Sequence, residues 1–152
     1  MRAFLLGLIC ISTPSLAAAE YTMEQLAGRW DCSSAKIADN MWSRAYYTIN
    51  RDGTGHYNAT ISVDGDEGEM FIQFISDVSV SLEGDQLFGE FDHMTMKKVS
   101  FGGTIFDATQ MDEIKTQLMA DPKSVSKIAS LSPSVLEYET DGLWSRCTPR
   151  ED

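Results

Sequence analysis

Residues 69–82 read EMFIQFISDVSVSL, and their alternation decides the fold. Met70, Ile72, Phe74, Val78, Val80 and Leu82 fall on one side of an extended chain. Glu69, Gln73, Asp77, Ser79 and Ser81 fall on the other, with Phe71 and Ile75 as exceptions. A period of two is the signature of a strand with one buried face. The same pattern runs outward in both directions. Ala45, Tyr47 and Ile49 alternate with Arg44, Tyr46 and Thr48, while Tyr57, Ala59, Ile61 and Val63 alternate with His56, Asn58, Thr60 and Ser62. Between these runs stand Arg51-Asp52-Gly53, Asp64-Gly65-Asp66-Glu67-Gly68 and Glu83-Gly84-Asp85, and Asp141-Gly142 follows later. Gly and Asp are the residues that accept the positive φ of a tight reversal. The spacing predicts an antiparallel meander from Trp42 to about Phe101.

After the meander the pattern changes. Asp107 with Gln110 three residues on forms a capping box, and Met111, Ile114 and Leu118 share a helical face. Asp121-Pro122 reads as the start of a second short helix, with Val125, Ile128 and Leu131 as its apolar side. A final hairpin runs from Val135 to Glu139, through Asp141-Gly142, to Cys147.

The first nineteen residues do not belong to this plan. Arg2, an apolar run from Phe4 to Ile11, and Ala17-Ala18-Ala19 make a secretory signal with cleavage near Ala19. The run is too short for a membrane span, which needs roughly 20 apolar residues. Ile9 before Cys10 is too bulky for a lipoprotein site. The expected mature chain, 20–152, is one domain in the periplasm or outside the cell. All 23 acidic residues and 11 of the 12 lysines and arginines lie beyond position 19, leaving that chain at −12. Such acidity argues against nucleic acid and against an anionic membrane surface, and is compatible with a cationic protein partner.

With Cys10 removed, Cys32 and Cys147 are the only cysteines, and an oxidising compartment pairs them. About seven to eight antiparallel strands with one apolar face each bury that face by curling into an up-and-down barrel. First and last strands then become neighbours, and a Cys32–Cys147 bond is the covalent form of that closure. Gly28 brings the chain in close under the barrel end, and Trp30 plugs it. The expected fold is therefore mainly β: an antiparallel up-and-down barrel with two short helices before the C-terminal hairpin.

Gly28-Arg29-Trp30 opening the first strand, followed by a meander and a late helix, resembles the lipocalin and wider calycin pattern. The resemblance implies a small secreted barrel whose cup holds an apolar ligand, and a late arginine, here Arg146, that packs over Trp30. Yet Trp30 shares a face with Cys32 while Arg146 lies opposite Cys147, so a direct cross-strand disulfide would turn Arg146 away. The resemblance is to a lipocalin-like barrel rather than to membership of the family.

Tyr47, Tyr57, Met70, Phe74 and Phe91 fall on inward faces and are the expected ligand-binding residues of a small apolar site. His93 joins them because it shares a face with Leu87 and Phe91. Trp42, Met94 and Met96 are assigned to the surface or mouth. The only histidines, His56 and His93, lie in different strands without Cys, His or Asp neighbours at metal spacing, and Gly68 spoils the acidic 64–69 turn as a calcium loop. No nucleophile motif or phosphate-cradling loop occurs. The expectation is a non-enzymatic binder of a small apolar ligand, with no cofactor or metal. The alternative is an acidic interaction module, an inhibitor or immunity protein for a cationic wall-degrading enzyme. A dry lumen of about 300 Å³ or more would favour the ligand, and a filled core the protein partner.

Overall fold

The computed structural model describes residues 21–38 and 40–151, with backbone only for 33–38. The expected signal segment, Cys10 and the cleavage site at Ala19 lie outside the described residues. The elements are α1 (Met23–Leu26), β1 (Gly28–Ala38), β2 (Met41–Ile49), β3 (Thr54–Gly65), β4 (Gly68–Glu83) and β5 (Gln86–Phe101). They continue as β6 (Thr104–Ile105), α2 (Ala108–Leu118), β7 (Lys123–Ser132), β8 (Val135–Thr140) and β9 (Leu143–Pro149). Eight strands close in the order β1-β2-β3-β4-β5-β7-β8-β9, each antiparallel to its neighbours, and β6 is a two-residue addition to β5.

Closure is sealed where expected. Cys32 on β1 lies directly opposite Cys147 on β9, and the two are bonded with their Cα atoms 4.0 Å apart. The disulfide points inward and both cysteines are buried with Trp30, Ala45, Ala59, Phe74 and Leu136. Gly28 takes a φ of +155°, outside the usual range of other residues, as the chain turns from α1 into β1. Thr22 and Gln25 cap α1 reciprocally, and Leu26 on it is fully buried. The Trp30 indole, 4% exposed, donates from Nε1 to the Leu26 carbonyl at 2.9 Å. The base is thus plugged by an aromatic ring whose polar atom is satisfied by the element that covers it.

The turns follow their residues. Asp141 and Gly142 both have positive φ, the geometry of a two-residue hairpin. Gly53 has φ +85°, and a Cβ there would collide with the Val80 carbonyl oxygen, because Val80 N donates to the Gly53 carbonyl across the barrel end.

Besides an irregularity between Ser34 and Ala38 in β1, three β-bulges set the faces. Gln73 pairs with Lys98 but Phe74 with Met96, so Lys97 is extra; Asp77 pairs with His93 but Val78 with Phe91, so Asp92 is extra. In β7, Ile128 opposes Tyr138 while Ser130 opposes Glu137, leaving Ala129 unpaired. Each bulge exchanges inward and outward positions beyond it. Two expectations change as a result. Met94 is buried and Met96 packs on the core, rather than lying at the surface or mouth, whereas Trp42 is indeed exposed.

The helices differ in part from expectation. The Asp107–Gln110 capping box forms and α2 follows it, with Leu118 and the adjoining Met119 packed against the core. The second helix expected from Asp121-Pro122 is strand β7, and the other helix is instead α1 before the barrel. The spacing of Val125, Ile128 and Leu131 looks helical because Val125 points outward, Ile128 inward, and the bulge at Ala129 returns Leu131 inward opposite Leu136. A strand broken by a bulge imitates a three-residue period, and pairing with both β5 and β8 overrides the local signal.

Candidate functional site

Two places on the barrel bring chemistry-bearing side chains together: the lumen and the outer wall of β2–β5. In the lumen, Tyr47, Tyr57, Phe74 and Phe91 form one aromatic cluster. Tyr57 sits at the centre, its ring centroid 4.6 Å from Tyr47, 5.2 Å from Phe91 and 5.6 Å from Phe74. Phe74 and Phe91 meet edge to face at 6.4 Å, an arrangement aromatic quadrupoles favour. The Tyr47 and Tyr138 hydroxyls hydrogen-bond across the barrel at 3.3 Å. Burial pushes the Tyr47 phenol well above its ordinary range and the Tyr57 phenol up to about 12, since a phenolate would lose its hydration there.

These rings fill the space they surround. The apolar recess beside them, bounded by Tyr47, Val78, Leu87, Phe91, Leu136 and Tyr138, holds only about 60 Å³. Gly89 contributes to its wall, and Ser124 and Ser126 on β7 add hydroxyls. Small-molecule sites typically run from about 300 Å³ upward.

The expected ligand residues therefore separate. Tyr47 and Phe91 border the recess, while Phe74 is core and Tyr57 bridges the aromatic cluster. Met70 pairs with Phe101 near the far end of β4 and does not border the recess. His93 is on the wrong side for a lumen residue: the bulge at Asp92 turns Phe91 in and His93 out, opposite Asp77. Arg146 also departs from its implied role. It lies on the outer face, 3.4 Å from Glu137, not over Trp30. The direct Cys32–Cys147 pairing requires that, since successive strand residues face opposite ways. Tyr138, Ser124 and Ser126 were missed. Alternation of Leu136 and Tyr138 marks the first, but the two serines sit on a segment whose spacing looked helical.

The outer wall carries the polar groups. Tyr46 has the Arg150 guanidinium 4.5 Å and the Arg44 guanidinium 5.1 Å from its ring centroid, and Arg44 also pairs with Asp31 at 2.8 Å. His56 on β3 donates from Nδ1 to Asp77 on β4 at 2.7 Å. In the acidic β3–β4 turn, the Ser62 hydroxyl donates to the Glu69 carboxylate, and Asn40 bonds the Asp64 backbone. Large apolar side chains are also exposed outside, Trp144 at 60% and Val125 at 52%. The geometry is that of a calycin-like barrel in outline, with a nearly full lumen and a polar, aromatic-bearing wall. No protein-family model matches the chain, and no curated protein matches it in sequence.

Proposed function

We propose that this protein is an exported, non-enzymatic binding module that engages a cationic protein through the outer wall of its barrel. The observation that carries the reading is the lumen. A recess of about 60 Å³ is several-fold below the volume of ordinary small-molecule sites, and enlarging it would mean separating packed aromatic rings. What remains available for recognition is the outside of an acidic chain, where Trp144 and Val125 stand exposed. Trp144 stands opposite Glu139 on the β8–β9 wall, and an aromatic anchor rimmed by charge is a common interface arrangement. The disulfide suits an oxidising compartment, and residues 1–19 read as an export signal. A basic cell-wall-degrading enzyme is a partner of the right charge. Binding to such an enzyme should weaken steeply as salt rises from about 50 to 500 mM, because the screening length shortens several-fold. Trp144→Ala should weaken it further. Affinity independent of salt would count against the reading.

A second reading rests on the recess itself, whose apolar wall carries the paired Tyr47 and Tyr138 hydroxyls. It could take a ligand of a few heavy atoms with one polar group. Binding would be nearly salt-independent and lost in Phe91→Asp. Titration of a fluorescent fatty acid and of a small phenol at both salt concentrations separates the two. Saturable phenol binding alone would favour the recess.

A further inference from the structure

Phe71 is an apolar residue on the polar side of the β4 alternation, and the fold joins it to others on the outer wall. Trp42 lies opposite Ser62, Ser62 opposite Phe71, Phe71 opposite Ser100, and Ser100 opposite Ile105. Large and small residues thus alternate along one outward row across β2–β6. Trp42 is 42% and Ile105 66% exposed, yet both serines are buried. On an outer wall only neighbouring side chains can cover a serine. The large residues do so, helped at Ser62 by the bonded Glu69, and the row becomes an apolar stripe. Exposed apolar stripes with a polar margin mark interaction sites.

The stripe separates two kinds of charge. On one side the next outward pair is Asp64 and Glu69, with Asp66 and Glu67 beyond them in the exposed turn. On the other side runs the row Arg44–Thr60–Gln73–Lys98. Arg44 there pairs with Asp31, and Lys98 Nζ lies 5.2 Å from the Phe71 ring centroid. The same row continues from Arg44 through Ser33 to Arg146, and Trp42 and Trp144 each lie two residues beyond it in the same direction. The stripe therefore lines up with the Trp144 anchor. Both β3 and β4 are paired with a strand on either side, so an extended segment laid across them finds no ladder to join. A helix satisfies its own backbone and needs none.

Resting on the reading that the partner is a cationic protein, we propose that the stripe Trp42–Phe71–Ile105 receives a basic amphipathic helix of that partner. The spacings agree. Successive large residues stand two strand spacings apart, about 10 Å, and helix residues i and i+7 on one face lie about 10.5 Å apart. Apolar helix side chains at i and i+7 then meet the two intervals at Ser62 and Ser100, in the helix-on-groove manner of recognition. The four strand spacings from Trp42 to Ile105, about 19 Å, match a helix of about 13 residues. Charge sets its orientation. Lysines or arginines on the flank facing the 64–69 turn are attracted, and any on the flank facing Lys98 are repelled.

The probe is a labelled synthetic helical peptide of about 14 residues, with leucines on one face and lysines along one flank. Fluorescence anisotropy with protein spanning residues 20–152, at about 50 and 500 mM salt, reads its binding. Trp42→Ser, Phe71→Ser and Ile105→Ser should each weaken binding about tenfold, and so should serine in place of the peptide's leucines. Asp66→Asn with Glu67→Gln should weaken it at low salt, and Lys98→Glu should strengthen it. Trp144→Ala lies beyond the reach of so short a helix and should bind it as wild type does. Circular dichroism checks that each variant is folded, and the exposed Ile105 can be replaced without touching the core. Salt-sensitive binding that all three stripe variants leave intact would overturn the stripe and spare the cationic-partner reading. That reading falls instead if a basic wall-degrading enzyme binds with salt-independent affinity. No peptide binding at about millimolar concentration would also overturn the stripe.

Discussion

Replacing Trp30 with Ala and with Phe separates the two contributions this residue makes to the barrel base. Trp30 is 4% exposed, packed near the disulfide, and its indole N–H is bonded to the Leu26 carbonyl at 2.9 Å. Trp30→Ala removes the ring and opens a cavity that the covalently tied β1 and β9 cannot easily close. The cost should be about 3–5 kcal/mol, as for other buried aromatics cut to alanine. Trp30→Phe keeps most of the apolar area but leaves the carbonyl of the fully buried Leu26 without its donor. That should cost about 1–3 kcal/mol, the range for an orphaned buried polar group. Urea unfolding followed by far-UV circular dichroism, with the disulfide intact in every sample, gives both numbers against the same unfolded state. A loss below about 0.5 kcal/mol for Trp30→Ala would refute the plug. Equal stability of Trp30→Phe and wild type would refute the role of the hydrogen bond while leaving the packing.

Thiol labelling of unfolded, unreduced protein spanning residues 20–152 should find no free thiol, and Cys32→Ser with Cys147→Ser should lose about 4–5 kcal/mol in the chain-entropy model for a loop of this length. The tyrosine cluster predicts alkaline instability. The folded state holds the Tyr57 proton up to about pH 12 while the unfolded chain releases it near 10. Stability is therefore complete below pH 10 and falls between 10 and 12, by at most about 2–3 kcal/mol given that the residue is only partly buried. Tyr57→Phe should flatten that fall in a pH series of urea midpoints, and an unchanged slope would place the phenol in water. Gly53→Ala should destabilise by about 1–3 kcal/mol, since it combines a left-handed φ with a collision at the Val80 carbonyl. Wild-type urea midpoints for that variant would mean the turn is free to move.

The meander strands and the final hairpin, most of the turns, α2 and the disulfide were legible in the chain itself because their causes are local. A pleated backbone imposes a period of two on whatever it half-buries, as in Met70 to Leu82, and Asp141-Gly142 supplies positive φ wherever it stands. The capping box at Asp107 closes within one helical turn. Cys32 and Cys147, the two cysteines beyond the expected signal segment, leave one pairing, and that pairing makes the first and last strands neighbours. Three things depended on the assembled barrel. The first is phase: a bulge adds one residue without any compositional mark, so only pairing with β4 shows that Asp92 turns His93 outward, and only pairing with β8 shows why 123–132 imitates a helix. The second is fullness, because whether Tyr47, Tyr57, Phe74 and Phe91 line a cup or fill it depends on the distance between opposite walls. The third is the meeting of His56, Asp77 and His93. The turn at 65–68 sets His56 opposite Asp77, but His93 comes opposite Asp77 only through the bulge at Asp92, which the sequence does not mark.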